Sequence, residues 1–381
     1  MTPRDMLTNP YFCPVPWTGL MYNVDGTVKN CIRSAEPIGN LAQTPIESIL
    51  LGQKNRQSQQ NIDAGQPVSG CQPCYHLERG KHRHDIVSDR IFYIRELKQV
   101  PVDTYQPGNF DLQTIDVRWT NLCNFACVYC GPEFSSRWSA EIGVTLPAPS
   151  REQQQDFKDY ILNQAHRLRH VYLAGGEPLL MRENLELLDR LDPEVTIRVN
   201  TNLSRTDTQV FERICKFKNV HWTVSVESMA DEFEYIRFGG CWQDFVTNLK
   251  YIQTLDHKIS FNMIWFLLNP RSIFDCVDHL KSLGFHNNSF VIGALLGPEH
   301  LNIRHLPDSV LQLLEIELQN RIDLRPGYLL EDSYRNMLHY VQQPFDKDLS
   351  GSLQHIAQLD QRRGLDSRTI FADLYKLREE D

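Results

Sequence analysis

The chain has 381 residues, 41% of them hydrophobic, and a formal net charge of -9, a length that suits one large domain plus a smaller one. The acidic balance disfavours binding to nucleic-acid phosphates, and no apolar run reaches the roughly 18 residues that span a bilayer. Because the N-terminus also lacks a signal-peptide pattern, we expect a cytoplasmic protein whose ten cysteines serve metal binding, catalysis or burial rather than disulfides.

The first 105 residues are rich in turns and cysteines, and we predict that they form a small N-terminal domain. Cys13, Cys31, Cys71 and Cys74 supply four thiols, which together suggest a closed metal site. Residue type and spacing alone do not separate a four-cysteine zinc site from an iron-sulfur cluster. Three histidines in a charged stretch near Cys74 are more often solvated than metal-bound: His76, His82 and His84.

Residues 106–305 alternate short β-rich runs with helical runs, a pattern typical of parallel strands joined by crossover helices. Six strands are predicted, at 112–119, 170–174, 196–200, 220–226, 259–268 and 289–293. Six β/α units are too few for an eight-stranded barrel, so the predicted fold class is α/β, a partial (β/α)6 TIM-like barrel. Its ligand is expected at the C-terminal ends of the strands. Residues 306–381 indicate a helical C-terminal extension.

Two helix starts within the predicted barrel can be assigned from polar residues three positions apart. Ser150 with Gln153 predicts a capping box, and Ser204 with Asp207 predicts the start of a later helix. Both precede apolar residues at helical spacing, which supports amphipathic helices between the strands.

The first predicted barrel strand leads into a loop with three cysteines, Cys123, Cys127 and Cys130. Three thiolates at the end of one strand can face one iron-sulfur cubane, which leaves one of its four irons open to chelate a small molecule. Zinc is the alternative, but it usually takes four protein ligands, and no obvious fourth lies nearby. The spacing therefore favours an iron-sulfur cluster with an open iron.

Motifs suited to ligand binding follow the next three strands. The second strand ends in Ala174-Gly-Gly-Glu-Pro178, where adjacent glycines permit close backbone approach and the proline fixes a turn. Asn202 and Ser225, near the ends of the third and fourth strands, can bind a ribose or amino-acid group, or can simply cap turns. The guanidinium of Arg237 suits a carboxylate through two parallel hydrogen bonds, with a surface salt bridge as the alternative.

The Cys-x3-Cys-x2-Cys loop after the first strand of a partial barrel resembles that of the radical S-adenosylmethionine (SAM) superfamily. The resemblance implies that the open iron of a [4Fe-4S] cluster binds the amino and carboxylate groups of SAM. It also implies SAM contacts from the remaining motifs: Tyr129 near the adenine, Gly175, Gly176, Glu177 and Pro178 at the amino group, Asn202 and Ser225 at the ribose and methionine portions, and Arg237 at the carboxylate.

The N-terminal cysteines resemble those of a twitch domain, a short form of the SPASM domain that holds an auxiliary [4Fe-4S] cluster. The pattern is Cys13, then Gly26 five positions before Cys31, then Cys71 and Cys74. In the better-known relatives this domain follows the barrel, whereas here it precedes it. The resemblance implies a second cluster, with zinc as the alternative.

The resemblance also implies a reaction. An electron donor such as flavodoxin or ferredoxin reduces the first cluster, SAM breaks into methionine and a 5'-deoxyadenosyl radical, and the radical abstracts a substrate hydrogen. Relatives with auxiliary clusters often modify peptides or protein side chains, so a peptide substrate is our first prediction. The second is a small-molecule radical dehydrogenase or mutase, and the alternative of another class is a zinc-stabilised binding protein.

Three cysteines lie outside both predicted sites. Cys215 and Cys276 fall within helical patterns and are predicted to be buried. Cys241 begins a helix close to Arg237, so it is either a hydrogen-atom donor to a substrate radical or an ordinary helix-start residue.

Overall fold

The computed structural model of the protein describes residues 8–78 and 88–377. Its chain divides into two compact units. The first comprises residues 1–123, 132–200 and 205–221, and the second comprises residues 124–131, 201–204 and 222–381. The chain therefore passes from one unit to the other within the cysteine loop and again after the third predicted barrel strand.

The first unit contains six strands of a nine-stranded mixed sheet. These are β1 (Gly19–Tyr22), β2 (Thr27–Lys29), β3 (Gly39–Asn40), β4 (Thr114–Val117), β5 (His170–Leu173) and β6 (Thr196–Thr201), whose last residue belongs to the second unit. Their order is β3-β2-β1-β4-β5-β6. Strand β4 pairs in parallel with both β1 and β5, and β5 pairs in parallel with β6, whereas β2 pairs antiparallel with both β1 and β3. Every residue of β4 is buried, as is usual for strands of parallel sheets.

Nine α-helices occur among the described residues of the first unit. They are α1 (Val15–Thr18), α2 (Ile46–Leu50), α3 (Gln53–Asp63), α4 (Gln72–Glu78), α5 (Asp89–Glu96), α6 (Ser136–Ile142), α7 (Arg151–Gln164), α8 (Arg182–Leu188) and α9 (Gln209–Ile214). The predicted capping box of Ser150 and Gln153 is confirmed at the start of α7. The predicted start at Ser204 is wrong, because Thr208 caps α9 through the N–H of Phe211 and Asp207 pairs instead with Arg205.

The second unit contains the remaining strands and the C-terminal helices. Strand β7 (Val220–Ser225) begins in the first unit and continues here, followed by β8 (Lys258–Trp265) and β9 (Phe290–Ala294), which pair in parallel. The helices are α10 (Ala230–Ile236), α11 (Trp242–Gln253), α12 (Ser272–Ser282), α13 (Asp308–Asp323), α14 (Tyr328–Val341), α15 (Leu349–Arg363), α16 (Ser367–Ile370) and α17 (Ala372–Lys376). In the part of the chain that the structure describes, no helix is long and apolar enough to cross a membrane.

The predicted elements can be compared with those observed. All six predicted strands are confirmed as β4 to β9, and the segment after residue 306 is helical as far as it is described. The sequence around Gly26 predicts a hairpin turn within residues 24–31, and the antiparallel pairing of β1 with β2 confirms it. The strands themselves were not predicted, because a buried run of four residues such as Gly19–Tyr22 has no period that separates strand from helix. The domain boundaries at 105 and 305 stay a prediction, as does an independent cysteine-rich domain.

Candidate functional site

The cysteine loop begins after β4, and its first cysteine is held by the N-terminus of α6. The N–H of Cys123 donates to the hydroxyl of Ser136 at 3.2 Å, and that hydroxyl lies 3.3 Å from the carbonyl of Cys123. Ser135 caps the same helix by accepting from the N–H of Trp138. Asn121 donates to the carbonyl of Pro132 at 2.8 Å, which joins the two ends of the loop. The backbone around Cys123 is therefore fixed by the protein itself.

The other two cysteines belong to a segment that pairs with the end of α10. The N–H of Ala126 donates to the carbonyl of Phe238, and the N–H of Val128 donates to the carbonyl of Ile236, both at 2.8 Å. Cys127 lies between these two bonds, and its carbonyl accepts from the N–H of Cys130 at 3.0 Å. The two bonds hold Cys127 opposite residue 237 of the neighbouring segment.

The three thiols differ in their exposure. Cys127 is buried, whereas Cys123 and Cys130 are half-buried. Burial raises the pKa of the Cys127 thiol, and the positive charge of Arg237 opposes that rise. Cys127 is therefore enclosed by protein, whereas Cys123 and Cys130 are partly exposed.

The glycine pair after β5 packs against the residue that precedes Cys123. A side chain on Gly176 would place its Cβ 2.2 Å from the carbonyl oxygen of Leu122, and the N–H of Glu177 donates to that same oxygen at 2.7 Å. Gly175 has a φ of +121°, a backbone conformation that other residues rarely adopt. Glu177 is buried, and its carboxylate accepts from the N–H of Leu179 at the short helical turn that Pro178 begins. The glycines thus let the turn after β5 contact the cysteine loop directly.

Asn202 is joined to the cysteine loop within the second unit. Its side-chain amide donates to the side-chain oxygen of Asn124 at 3.1 Å, and its own oxygen accepts from the N–H of Ser204 at 2.9 Å. Ser225 is the last residue of β7 and is half-buried. The structure thus brings Asn202 into contact with the cysteine loop at Asn124, the residue that follows Cys123.

Arg237 is buried and does not form the surface salt bridge considered as its alternative role. It is 3% exposed, and it forms two hydrogen bonds with Glu227, which is 1% exposed. The bonds are Nε to Oε2 at 2.6 Å and Nη2 to Oε1 at 3.1 Å. Its third nitrogen, Nη1, lies 3.9 Å from the Sγ atom of Cys127. Its Cζ atom lies 6.0 Å from the ring centre of Tyr129, which is half-buried and packs edge-on against Phe266.

The four N-terminal cysteines come together in the first unit. Cys13, Cys31 and Cys71 contact an apolar cluster that includes Trp17 and Tyr93, and the same three line a cavity of about 440 Å³. Burial and then mutual repulsion raise the pKa of Cys31 to about 12 and that of Cys71 to about 11. Burial also raises the pKa of Cys13 and Cys74.

Hydrogen-bond donors point at each of these four sulfur atoms and lower the pKa of each thiol against the larger effect of burial. The donors are the N–H of Val15 for Cys13, those of Arg33 and Ser34 for Cys31, the hydroxyl of Tyr75 for Cys71, and the N–H of Arg90 for Cys74. Among the described residues, no three His, Cys, Asp or Glu side chains are arranged to hold a single metal ion. His76 is exposed, and His82 and His84 lie outside the described residues.

The other cysteines are distributed partly as predicted. Cys276 is buried, which confirms the prediction, whereas Cys215 is only half-buried at the end of α9. Cys241 is exposed and is the N-cap residue of α11.

Sequence analysis missed three charged residues near these motifs. Asp116 and Arg118 in and just after β4 form a buried ion pair at 3.0 Å, and Arg118 packs against Gly175. Burial raises the pKa of Asp116 to about 6, although Arg118 opposes this rise. Glu227, the partner of Arg237, is the third. The sequence does carry a signal for Asp116 and Arg118, because charged side chains are unusual at alternate positions of an otherwise apolar parallel strand.

Comparison with known proteins assigns part of the chain to a family. Residues 117–271 match the radical SAM superfamily. This segment begins at the last residue of β4, so it includes the cysteine loop, Gly175 to Pro178, Asn202, Ser225 and Arg237, but none of the N-terminal cysteines. The match covers less than half of the chain.

Several solved structures are similar at low identity. Native anSMEcpe with bound AdoMet matches with a TM-score of 0.41 and 13% identity, over 57% of this chain and 62% of that one. Streptococcus suis SuiB bound to precursor peptide SuiA matches with a TM-score of 0.41 and 14% identity, over 74% and 64%. TYW1 with a lysine-pyruvate adduct bound has a TM-score of 0.32 and 14% identity, over 55% and 71%. No curated protein sequence gives a significant match.

Proposed function

We propose that the protein is a radical SAM enzyme in which Cys123, Cys127 and Cys130 hold a [4Fe-4S] cluster. The observation that carries this proposal is the position of all three thiols in one loop, inside the segment that matches the radical SAM superfamily. When bound, such a cluster passes an electron to SAM, which splits into methionine and a 5'-deoxyadenosyl radical that abstracts a substrate hydrogen.

The residues of the loop fit the group. The loop offers three thiols and no fourth, so one iron keeps an open position for the amino and carboxylate groups of SAM. The amides of Cys123, Ala126 and Val128 already donate within the protein, which holds the backbone at Cys123 and, separately, the backbone around Cys127 without the cluster. Sites prepared in this way need little rearrangement when they bind a cofactor.

We assign the remaining predicted residues to the orientation of SAM. Gly175 and Gly176 let the turn after β5 approach the loop, while Pro178 and the buried carboxylate of Glu177 fix that turn. Asn202 and Ser225 present polar groups to the ribose and methionine portions, and Tyr129 presents its ring to the adenine. Their combined effect is to orient SAM and to keep water away from the radical.

We further propose that Cys13, Cys31, Cys71 and Cys74 hold an auxiliary [4Fe-4S] cluster in a twitch-like N-terminal domain. Burial raises the pKa of all four thiols, so the bound metal would have to stabilise the thiolate form that ligates it. Cys13, Cys31 and Cys71 line a cavity of about 440 Å³, which has room for a cluster. Zinc is the alternative outcome of the test below.

The substrate that we propose is a peptide or protein side chain, with electrons supplied by a flavodoxin or ferredoxin. This choice rests on the proposed auxiliary cluster, since relatives that carry one often modify peptides. A small-molecule dehydrogenase or mutase reaction is the alternative. A short reading frame for a precursor peptide beside the gene would favour the first, and its absence would favour the second.

The test is to purify the protein anaerobically, measure iron, sulfide and zinc, and assay 5'-deoxyadenosine after adding SAM and dithionite. About eight irons per chain are expected from two four-iron clusters, and about four from the first cluster with zinc at the second site. Replacing Cys130 by Ser should abolish SAM cleavage, whereas Cys215→Ser, the same change in a cysteine outside both sites, should not. Zinc without sulfide would contradict the enzyme proposal.

A further inference from the structure

We infer that Arg237 acts on the cluster through the sulfur of Cys127, as a positioning residue that sets the reduction potential, rather than as the partner of the SAM carboxylate. The inference rests on the proposed function, because it requires that Cys127 ligates a cluster. It differs from the sequence-based role of Arg237, which needed a guanidinium with two parallel N–H groups free for a carboxylate.

The guanidinium of Arg237 is divided between two neighbours. The edge formed by Nε and Nη2 donates to the two oxygens of Glu227 at 2.6 and 3.1 Å. Glu227 already occupies this edge, which leaves only the edge of Nη1 and Nη2 for another acceptor. The remaining nitrogen, Nη1, is 3.9 Å from Sγ of Cys127, within hydrogen-bonding distance of a sulfur.

The fold fixes this contact from both sides. Arg237 follows α10, where its N–H donates to the carbonyl of Phe233 at 2.8 Å and its carbonyl accepts from the N–H of Gly240 at 2.8 Å. The cysteine loop runs alongside with bonds from Ala126 to Phe238 and from Val128 to Ile236, so residue 127 faces residue 237. These bonds fix the backbone at both residues, and the two hydrogen bonds to Glu227 hold the Arg237 side chain.

Glu227 is held as firmly as its partner. The amide of Asn269, which is itself fully buried, donates to the carbonyl of Glu227 at 3.0 Å and to the carbonyl of Ile264 at 2.8 Å. A buried ion pair is costly to desolvate, and apolar side chains of similar size often stabilise a protein as well. An ion pair that also donates to a sulfur has a further effect that apolar side chains lack.

The further effect of the Arg237–Glu227 pair is a change in the reduction potential of the cluster. Net charge and hydrogen bonds to the sulfurs set the potentials of iron-sulfur centres. Reduction adds one negative charge, so an N–H donor from a guanidinium stabilises the reduced form and makes reduction easier. Glu227 acts in the opposite sense, because its carboxylate balances the charge of Arg237. The two residues should therefore shift the potential in opposite directions when each is neutralised.

The test is a redox titration without SAM, followed by electron paramagnetic resonance on the full-length protein with its clusters. The signal that changes when SAM is added identifies the cluster at Cys127. At a fixed solution potential, Arg237→Gln should reduce the ratio of reduced to oxidised cluster about tenfold, equivalent to about 59 mV for one electron. Glu227→Gln should raise that ratio, and the double variant should lie between the two.

A matched control is Arg205→Gln, which removes an arginine from an exposed pair with Asp207 and should leave the ratio unchanged. An unchanged potential in Arg237→Gln with weaker SAM binding would overturn the inference and restore the carboxylate role. If Arg237→Gln does not fold, an unchanged potential in Glu227→Gln overturns it equally. Absence of any SAM-sensitive signal from the unmodified protein would instead contradict the proposed function.

Discussion

The two groups of cysteines are built in different ways. Cys123, Cys127 and Cys130 lie within eight residues of one loop, whereas Cys13, Cys31, Cys71 and Cys74 come from segments up to 61 positions apart, from 13 to 74. Backbone hydrogen bonds hold the loop, while the N-terminal thiols depend on an apolar cluster and on helices α4 and α5. The thiols of the first group are close in sequence, although residues 236 and 238 help to hold their loop. Those of the second group come from separate segments and meet only when the N-terminal region folds, so metal binding there should couple to folding.

The strongest test of the difference between the two groups is to remove one proposed ligand from each. Cys127→Ser should abolish 5'-deoxyadenosine formation, because the cluster loses one of only three ligands, and should leave about four irons per chain. Cys71→Ser should also leave about four irons but should retain SAM cleavage. Iron analysis beside the cleavage assay checks both. Loss of all iron in either variant would show that the two groups do not bind metal independently.

The difference between local and long-range interactions also explains how much of the structure could be predicted from the sequence. The strands β4 to β9 and the loop cysteines follow from local patterns, and they were predicted. Strand β1 was missed because its four residues gain their structure from pairing with β4, a partner 95 positions away at Gly19 and Thr114. The Arg237 pair with Glu227 was missed for a related reason, since burial and a bond to Cys127 are tertiary facts.

The second prediction concerns the ion pair that joins the N-terminal cysteine segments. Arg90 and Glu78 are each 4% exposed, and Arg90 also donates to the carbonyl of Phe12, beside Cys13, at 2.8 Å. Arg90→Ala leaves Glu78 buried and unpaired, which should lower the free energy of unfolding by about 3–5 kcal/mol. Urea unfolding of the anaerobic protein measures it.

The control for this change is Arg335→Ala, which breaks an exposed pair with Glu331 and should cost at most about 1 kcal/mol. Arg90→Ala should also lose iron from the N-terminal group while SAM cleavage continues. Equal stability of the two variants would contradict the dependence of the N-terminal site on tertiary packing.

The third prediction concerns the local site. Gly176→Ala would place a Cβ 2.2 Å from the carbonyl oxygen of Leu122, so the backbone before Cys123 must move. A displacement of about 1 Å at a reacting group can cost about 100-fold in rate, and we expect a loss of that order in SAM cleavage. Gly293→Ala is the matched control, because nothing lies within 4 Å of the added Cβ. A Gly176→Ala rate within twofold of the control would contradict the close approach.

The smallest effect should come from Asp116, the buried carboxyl group of β4. Asp116 pairs with Arg118, which packs beside Gly175. The pKa of Tyr93 is raised mainly by burial, then by the charge of Cys31, and then by that of Asp116. The pKa of Asp116 is raised from 3.8 to about 6, so the folded protein binds this proton more tightly than the unfolded chain does. The resulting contribution to the free energy of unfolding is fully present below pH 3.8 and is lost as the pH rises through 6. The full step is about 3 kcal/mol at 1.36 kcal/mol per pKa unit, and about half of it should fall between pH 5 and 7.5.

Asp116→Asn cannot ionise, so its free energy of unfolding should lack this decrease, whereas Asp323→Asn, at an exposed position, should keep it. Urea unfolding of all three proteins at pH 5 and 7.5 measures the difference. Parallel pH dependence in the unmodified protein and Asp116→Asn would mean that Asp116 is charged throughout this range. In that case its pair with Arg118 must outweigh burial, and the face of β4 next to the loop would carry a full ion pair rather than a neutral carboxyl group.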